Sequence, residues 1–132
     1  MANYEAKFRS NYFEVTDAKA FQAFCKRHNL ELIEKENRFG FLMSNSTEGG
    51  FSNSGWDAEA EEDTDVLGEL CQLLAQGQVA IILEVGNEKM RYLNAQAWVI
   101  NSEGQLKHLD LTDLAMEAAA TLTTTEVHGP EY

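Results

Sequence analysis

Residues 79–85 alternate with a period of two: Val79, Ile81, Leu83 and Val85 fall in one register, Ala80, Ile82 and Glu84 in the other. That period predicts a strand, and with both registers largely apolar it predicts a strand in the middle of a sheet. A looser alternation over 6–15, carrying Tyr12, Phe13 and Val15, predicts a first strand. The period then changes. Ala20, Phe21, Phe24, Cys25 and His28 recur every three or four residues, predicting a helix over 17–28 with Thr16 as N-cap, Asp17 in the first turn and Asn29 as a left-handed cap. Two short apolar runs, LELIEK and RFGFLM, flank the polar pair Glu36-Asn37 and predict hairpin strands at 30–35 and 38–43.

Residues 44–56, SNSTEGGFSNSGW, are rich in Ser, Asn and Gly and predict the longest loop. From Thr64 onward, Val66, Leu67, Leu70, Cys71, Leu73 and Leu74 form a helical apolar face that Gly77 stops. After the central strand, GNEK predicts a turn into a strand at 90–101, and SEGQ a turn into another at 105–110. A last helix opening at Leu111 or Thr112 carries Leu114, Ala115, Ala118, Ala119 and Leu122. The resulting order is β-α-β-β-α-β-β-β-α. Short connections imply antiparallel neighbours, so the expected class is α+β: five to six antiparallel strands with three helices mainly on one face. A single domain over 1–124 is expected, followed by a frayed tail at 125–132.

Composition adds one strong feature. The chain has 132 residues, with 22 Asp and Glu against 10 Lys and Arg, for a formal net charge of −12. This exceeds the magnitude of about 2 to 8 that keeps a small domain soluble. Six carboxylates (Asp57, Glu59, Glu61, Glu62, Asp63 and Asp65) fall within nine residues of GWDAEAEEDTD. Half of the net charge therefore lies in one segment, and the other half reads as spread over the rest. Such a surface repels nucleic acid and anionic membrane, whose affinity comes from Lys and Arg on phosphates, and favours a basic partner. No secretion signal and no run approaching 18 apolar residues is visible, so a cytoplasmic protein is expected, with Cys25 and Cys71 as free thiols and the sequon at Asn45 without meaning.

Catalytic and metal chemistry find little support. The histidines are His28, His108 and His128. His28, near a helix C-terminus, suits a structural role. No Cys-x-x-Cys, His-x-x-x-His or Gly-x-Ser-x-Gly occurs, and the glycines of EGGFSNSG fit neither phosphate-binding nor dinucleotide loops. The acidic run fails as a calcium loop, because Glu62 stands where a sharp turn needs Gly and Gly68 where a bidentate Glu is needed. No catalytic residue, cofactor or metal is therefore expected. Glu62, Asp63 and Asp65 would suit the first turn of the following helix. Asp57, Glu59 and Glu61 come too early for it, and on an extended chain they would form a row spaced about 6.6 Å apart, comparable to phosphates along a nucleic-acid strand. Lys89 and Arg91 would pair with Glu88 or Glu84 across a hairpin.

Two motifs carry a resemblance. NYFEVTDAKAF, from Asn11 to Phe21, and EVGNEKMRYL, from Glu84 to Leu93, resemble segments of small acidic bacterial proteins often carried on mobile elements. In those proteins the first leads a strand into a helix and the second joins two strands. The resemblance implies a consistent fold and, by analogy with anti-restriction and anti-CRISPR proteins, a role against host defence. The expected function is a non-enzymatic DNA mimic that binds a basic host protein, such as a defence nuclease complex, through the six acids. The alternative is a regulatory or toxin-neutralising module that binds through loop 44–56 with Phe51 and Trp56.

Overall fold

The computed structural model describes residues 4–43, 54–57, 62–88 and 92–126. Six strands form one antiparallel sheet: β1 (Tyr4–Ser10), β2 (Leu30–Lys35), β3 (Arg38–Met43), β6 (Val79–Glu88), β7 (Tyr92–Asn101) and β8 (Leu106–Asp110), in the spatial order β2-β3-β1-β6-β7-β8. Two short strands, β4 (Ser54–Asp57) and β5 (Glu62–Asp65), form a separate ribbon. The helices are α1 (Ala18–Arg27), α2 (Val66–Leu73) and α3 (Leu111–Ala120). The fold is α+β in the expected order, with the ribbon inserted between β3 and α2. Among the described residues no helix is long and apolar enough to cross a membrane.

Strand β1 is shorter than its pattern suggests. At Ser10, which is buried, the hydroxyl donates to the carbonyl of Asn11 (2.8 Å) and accepts from the Phe41 N–H (2.9 Å). The Asn11 side chain then bonds the β6 backbone, donating to the Val79 carbonyl and accepting from the Ile81 N–H. Beyond this bend only isolated bridges remain, Phe13 to Phe39 and Val15 to Leu74. The backbone passes so close to Gly40 that a Cβ there would lie 2.5 Å from the Asn11 carbonyl. Glycine is required at that crossing.

The cap of α1 is Asp17 rather than Thr16. Its carboxylate accepts from the N–H groups of Lys19 (2.9 Å) and Ala20 (3.3 Å), and an acid here gains from both the hydrogen bonds and the helix dipole. Asn29 follows at φ 57°, the expected left-handed cap, and the Glu36-Asn37 turn has φ 52° and 65°. Positive φ at both central residues is the hairpin geometry that matches strand twist. At the other hairpin the ladder continues to Glu88 opposite Tyr92, so Gly86 to Glu88 extend β6 where a turn was expected. Helix α2 ends at Leu73, short of Gly77, and Asp110 caps α3 by accepting from the Asp113 N–H.

One sheet face carries the core. Phe8, Phe41, Ala80, Ile82 and Ile100 point inward, sealed by Phe21, Phe24 and Cys25 of α1 and Val66, Leu67 and Leu70 of α2. β6 lies between β1 and β7, the expected central position. Its inward register is the smaller one. Ala80 and Ile82 are fully buried while Leu83 and Val85 are 51% and 65% exposed. α3 packs against β7 and β8 with no fully buried residue; of its expected apolar stripe only Ala119 is half-buried.

Candidate interaction surface

The acidic run folds back on itself. In the β4–β5 ribbon Asp57 pairs with Glu62, Trp56 with Asp63, and Ser54 with Asp65. Opposite residues in an antiparallel ladder have Cα atoms about 4.5 to 5.5 Å apart, whereas five extended steps would separate Asp57 from Glu62 by about 16 Å. The backbone pairing therefore sets Asp57 against Glu62 across the ribbon, while Asp63 and Asp65 stand opposite Trp56 and Ser54. Phe51, Glu59 and Glu61 lie outside the described residues, as do Lys89, Arg91 and most of the expected tail.

Of the acids expected in the first turn of α2, Glu62 and Asp63 belong to β5, and Asp65 is the N-cap, accepting from the Gly68 N–H at 3.0 Å. The first-turn acid is Glu69. One of its oxygens accepts from Arg27 Nη2 at 2.7 Å and the other meets His28 Nε2, tying the end of α1 to α2. The His28 ring also stands edge-on to Phe24, 5.0 Å between centroids. His28 is a structural residue.

Charge is also less evenly spread than the overall balance suggests. Residues 1–43 contain six acids and seven bases; residues 44–132 contain sixteen acids and three bases. The first region is nearly neutral at +1 and the second carries −13. The acidity thus begins just ahead of the ribbon.

A polar network escapes sequence reasoning. Glu84 is 2% exposed on the inward face of β6. Its Oε2 accepts from Gln96 Nε2 at 2.8 Å and Asn94 Nδ2 at 3.1 Å, both on β7. Gln96 Oε1 in turn lies 2.7 Å from Nε2 of His108 on β8, whose ring is 5.3 Å from that of Trp98. With its amide nitrogen committed to the carboxylate, Gln96 offers His108 an acceptor, so the Nε2-protonated tautomer fits. The arrangement provides a buried carboxylate with the donors it needs and links three strands. The available signal was Glu84 itself, a charge inside an apolar strand.

Cys25 and Cys71 are free thiols. Burial pushes the Cys25 thiol up from 9.0 to about 12, so it stays protonated and unreactive near neutral pH. Cys71 is half-buried, with Sγ 3.5 Å from the Ser102 carbonyl. Among the described residues no three His, Cys, Asp or Glu converge to hold a metal. Comparison with protein-family models, curated proteins and solved structures finds no match to the chain. The functional reading therefore rests on the chain's own chemistry.

Proposed function

We propose that the protein is a non-enzymatic binding protein whose acidic ribbon and the acids around it occupy a basic, nucleic-acid-binding surface of a partner, in the manner of an anti-restriction or anti-CRISPR inhibitor. One observation carries the reading: Asp57 and Glu62 are paired on a ribbon that stands apart from the six-stranded sheet. Like charges directly opposite each other destabilise a ladder. Asp65 has a local task, as the cap of α2. An opposed pair of like charges that costs folding energy fits selection by a partner. A basic groove supplies that partner's chemistry, because Lys and Arg arranged for phosphates attract carboxylates at short range.

The test is release of a labelled DNA duplex, followed by fluorescence anisotropy, from a panel holding an RNA-guided nuclease complex and restriction endonucleases. The protein is expected to displace DNA from a member of the panel, with potency falling steeply as ionic strength rises through about 0.15 M, where the Debye length is about 8 Å. Displacement from none would overturn the reading. Displacement indifferent to salt and abolished by Trp56→Ala would transfer binding to the aromatic side of the ribbon.

A further inference from the structure

The sheet face opposite the core is largely exposed, with Ala97 buried within it, and its composition is the reverse of the molecule's. One row of paired residues crosses all six strands: Glu31, Leu42, Arg9, Leu83, Ala97 and Leu109. In the next row Lys7 is opposite Val85, and Val85 opposite Ala95. Leu93, 60% exposed, lies diagonally beside Val85. The result is an apolar strip on β6 and β7 bordered by the cations of β1. Register places Lys35, Arg38 and Lys107 on this same face, and all five cations are exposed. Among its described side chains Glu31 is the only anion. Half of the chain's ten bases thus lie on one face of a protein with a net charge of −12.

Helix α3 presents the complementary surface. Its half-buried positions are Met116 and Ala119, while Leu111, Leu114, Ala115 and Ala118, spaced three and four apart, are exposed. These four form a second apolar stripe, turned away from the helix's own contacts. Asp113 and Glu117, four residues apart, form an acidic row along one side of it, and no Lys, Arg or His occurs from 111 to 126. One surface is apolar with a basic border and the other apolar with an acidic border. Both are exposed in the same chain.

We propose that two copies of the protein associate, the exposed α3 of each lying on the basic and apolar sheet face of the other. Charge complementarity selects the occupant: an apolar stripe edged with acids meets an apolar strip edged with Lys7 and Arg9. Reciprocal exchange gives two identical contacts about a two-fold axis, so the assembly closes at a dimer. The net charge of each copy opposes association at long range. Near 0.15 M salt, screening beyond about 8 Å confines that repulsion to close neighbours. The proposal does not depend on the acidic ribbon.

Sedimentation equilibrium of the full chain, from micromolar to near-millimolar concentration, tests it together with charge reversal. The parent is expected to approach twice the 14.8 kDa chain mass. Lys7→Glu with Arg9→Glu, or Asp113→Lys with Glu117→Lys, should each weaken association by about tenfold or more. Combining all four reversals should restore it. The altered side chains are exposed, and thermal melts of each variant verify folding. A parent that stays monomeric throughout would overturn the proposal. So would a dimer indifferent to both reversals, or one that the combined variant fails to recover.

Discussion

The two faces of the central sheet share six strands and differ in what fills them. On the inner face β6 contributes Ala80 and Ile82, both fully buried; on the outer face it contributes the bulkier Leu83 and Val85, both more than half exposed. Aliphatic bulk on the strand does not decide which side becomes the core. The helices decide it. Phe21 and Phe24 of α1 lie near parallel, 5.8 Å between centroids, and Phe24 meets Phe41 edge-on at 6.4 Å. Rings of that size fill much of the core layer, and close packing leaves the inner register room for a side chain as short as Ala80. The outer aliphatics are left for contacts the core does not need.

The largest expected effect separates the faces directly. Ile82→Ala should cost about 2 to 5 kcal/mol in urea unfolding, because it opens a cavity in a sealed layer. Leu83→Ala, one residue along, should stay within about 0.5 kcal/mol. Equal losses would mean that the two faces contribute alike to folding. A polar counterpart follows at Glu84, where Glu84→Leu leaves the amides of Asn94 and Gln96 without their carboxylate acceptor and should cost about 1 to 3 kcal/mol. Lys7→Gln on the outer face should leave the unfolding midpoint unchanged.

Cys25 gives the inner face a pH signature. Unfolded, the thiol ionises near 9.0; folded, it keeps its proton to about 12. The folded state therefore binds more protons in between, and its stabilising contribution is complete below pH 9 and lost as pH rises toward 12. The slope is on the order of 1.4 kcal/mol per pH unit. It should appear as a difference in alkaline unfolding between the parent and Cys25→Val, and a thiol reagent on native protein should label Cys71 first. Smaller still is the Glu69 bridge between α1 and α2. With Glu69 and Arg27 each more than a third exposed, Glu69→Gln should cost less than about 1 kcal/mol in the same unfolding assay.

The sequence reads well where local chemistry and pairing agree. The hairpin Leu30–Lys35 and Arg38–Met43 matches its expected bounds, because two apolar runs meet at a polar pair able to adopt positive φ. The β4–β5 ribbon was not legible, since SGWD and EDTD offer only Trp56 and Thr64 as strand formers and pairing overrides propensity there. The Glu84 network needed a register that the expected turn at 86–89 would have shifted, pairing Glu84 with Arg91 instead of Gln96. For α3 the apolar period is real, but period alone does not say whether the stripe faces inward. The acidic run was visible as a cluster, and its hairpin geometry depended on the same unreadable ribbon.

The proposed function separates stability from binding, with the inner face holding the fold and the ribbon's charge directed at a partner. The most direct test is a single variant read two ways: Asp57→Asn, Glu59→Gln, Glu62→Gln and Asp63→Asn, with the helix-capping Asp65 retained. Its melting temperature should equal or slightly exceed the parent's, because opposed like charges are removed. Its ability to displace DNA from the nucleic-acid-binding partner should fall by about tenfold or more, most sharply at low salt. A variant that melts early, or that displaces DNA as well as the parent, would contradict the claim.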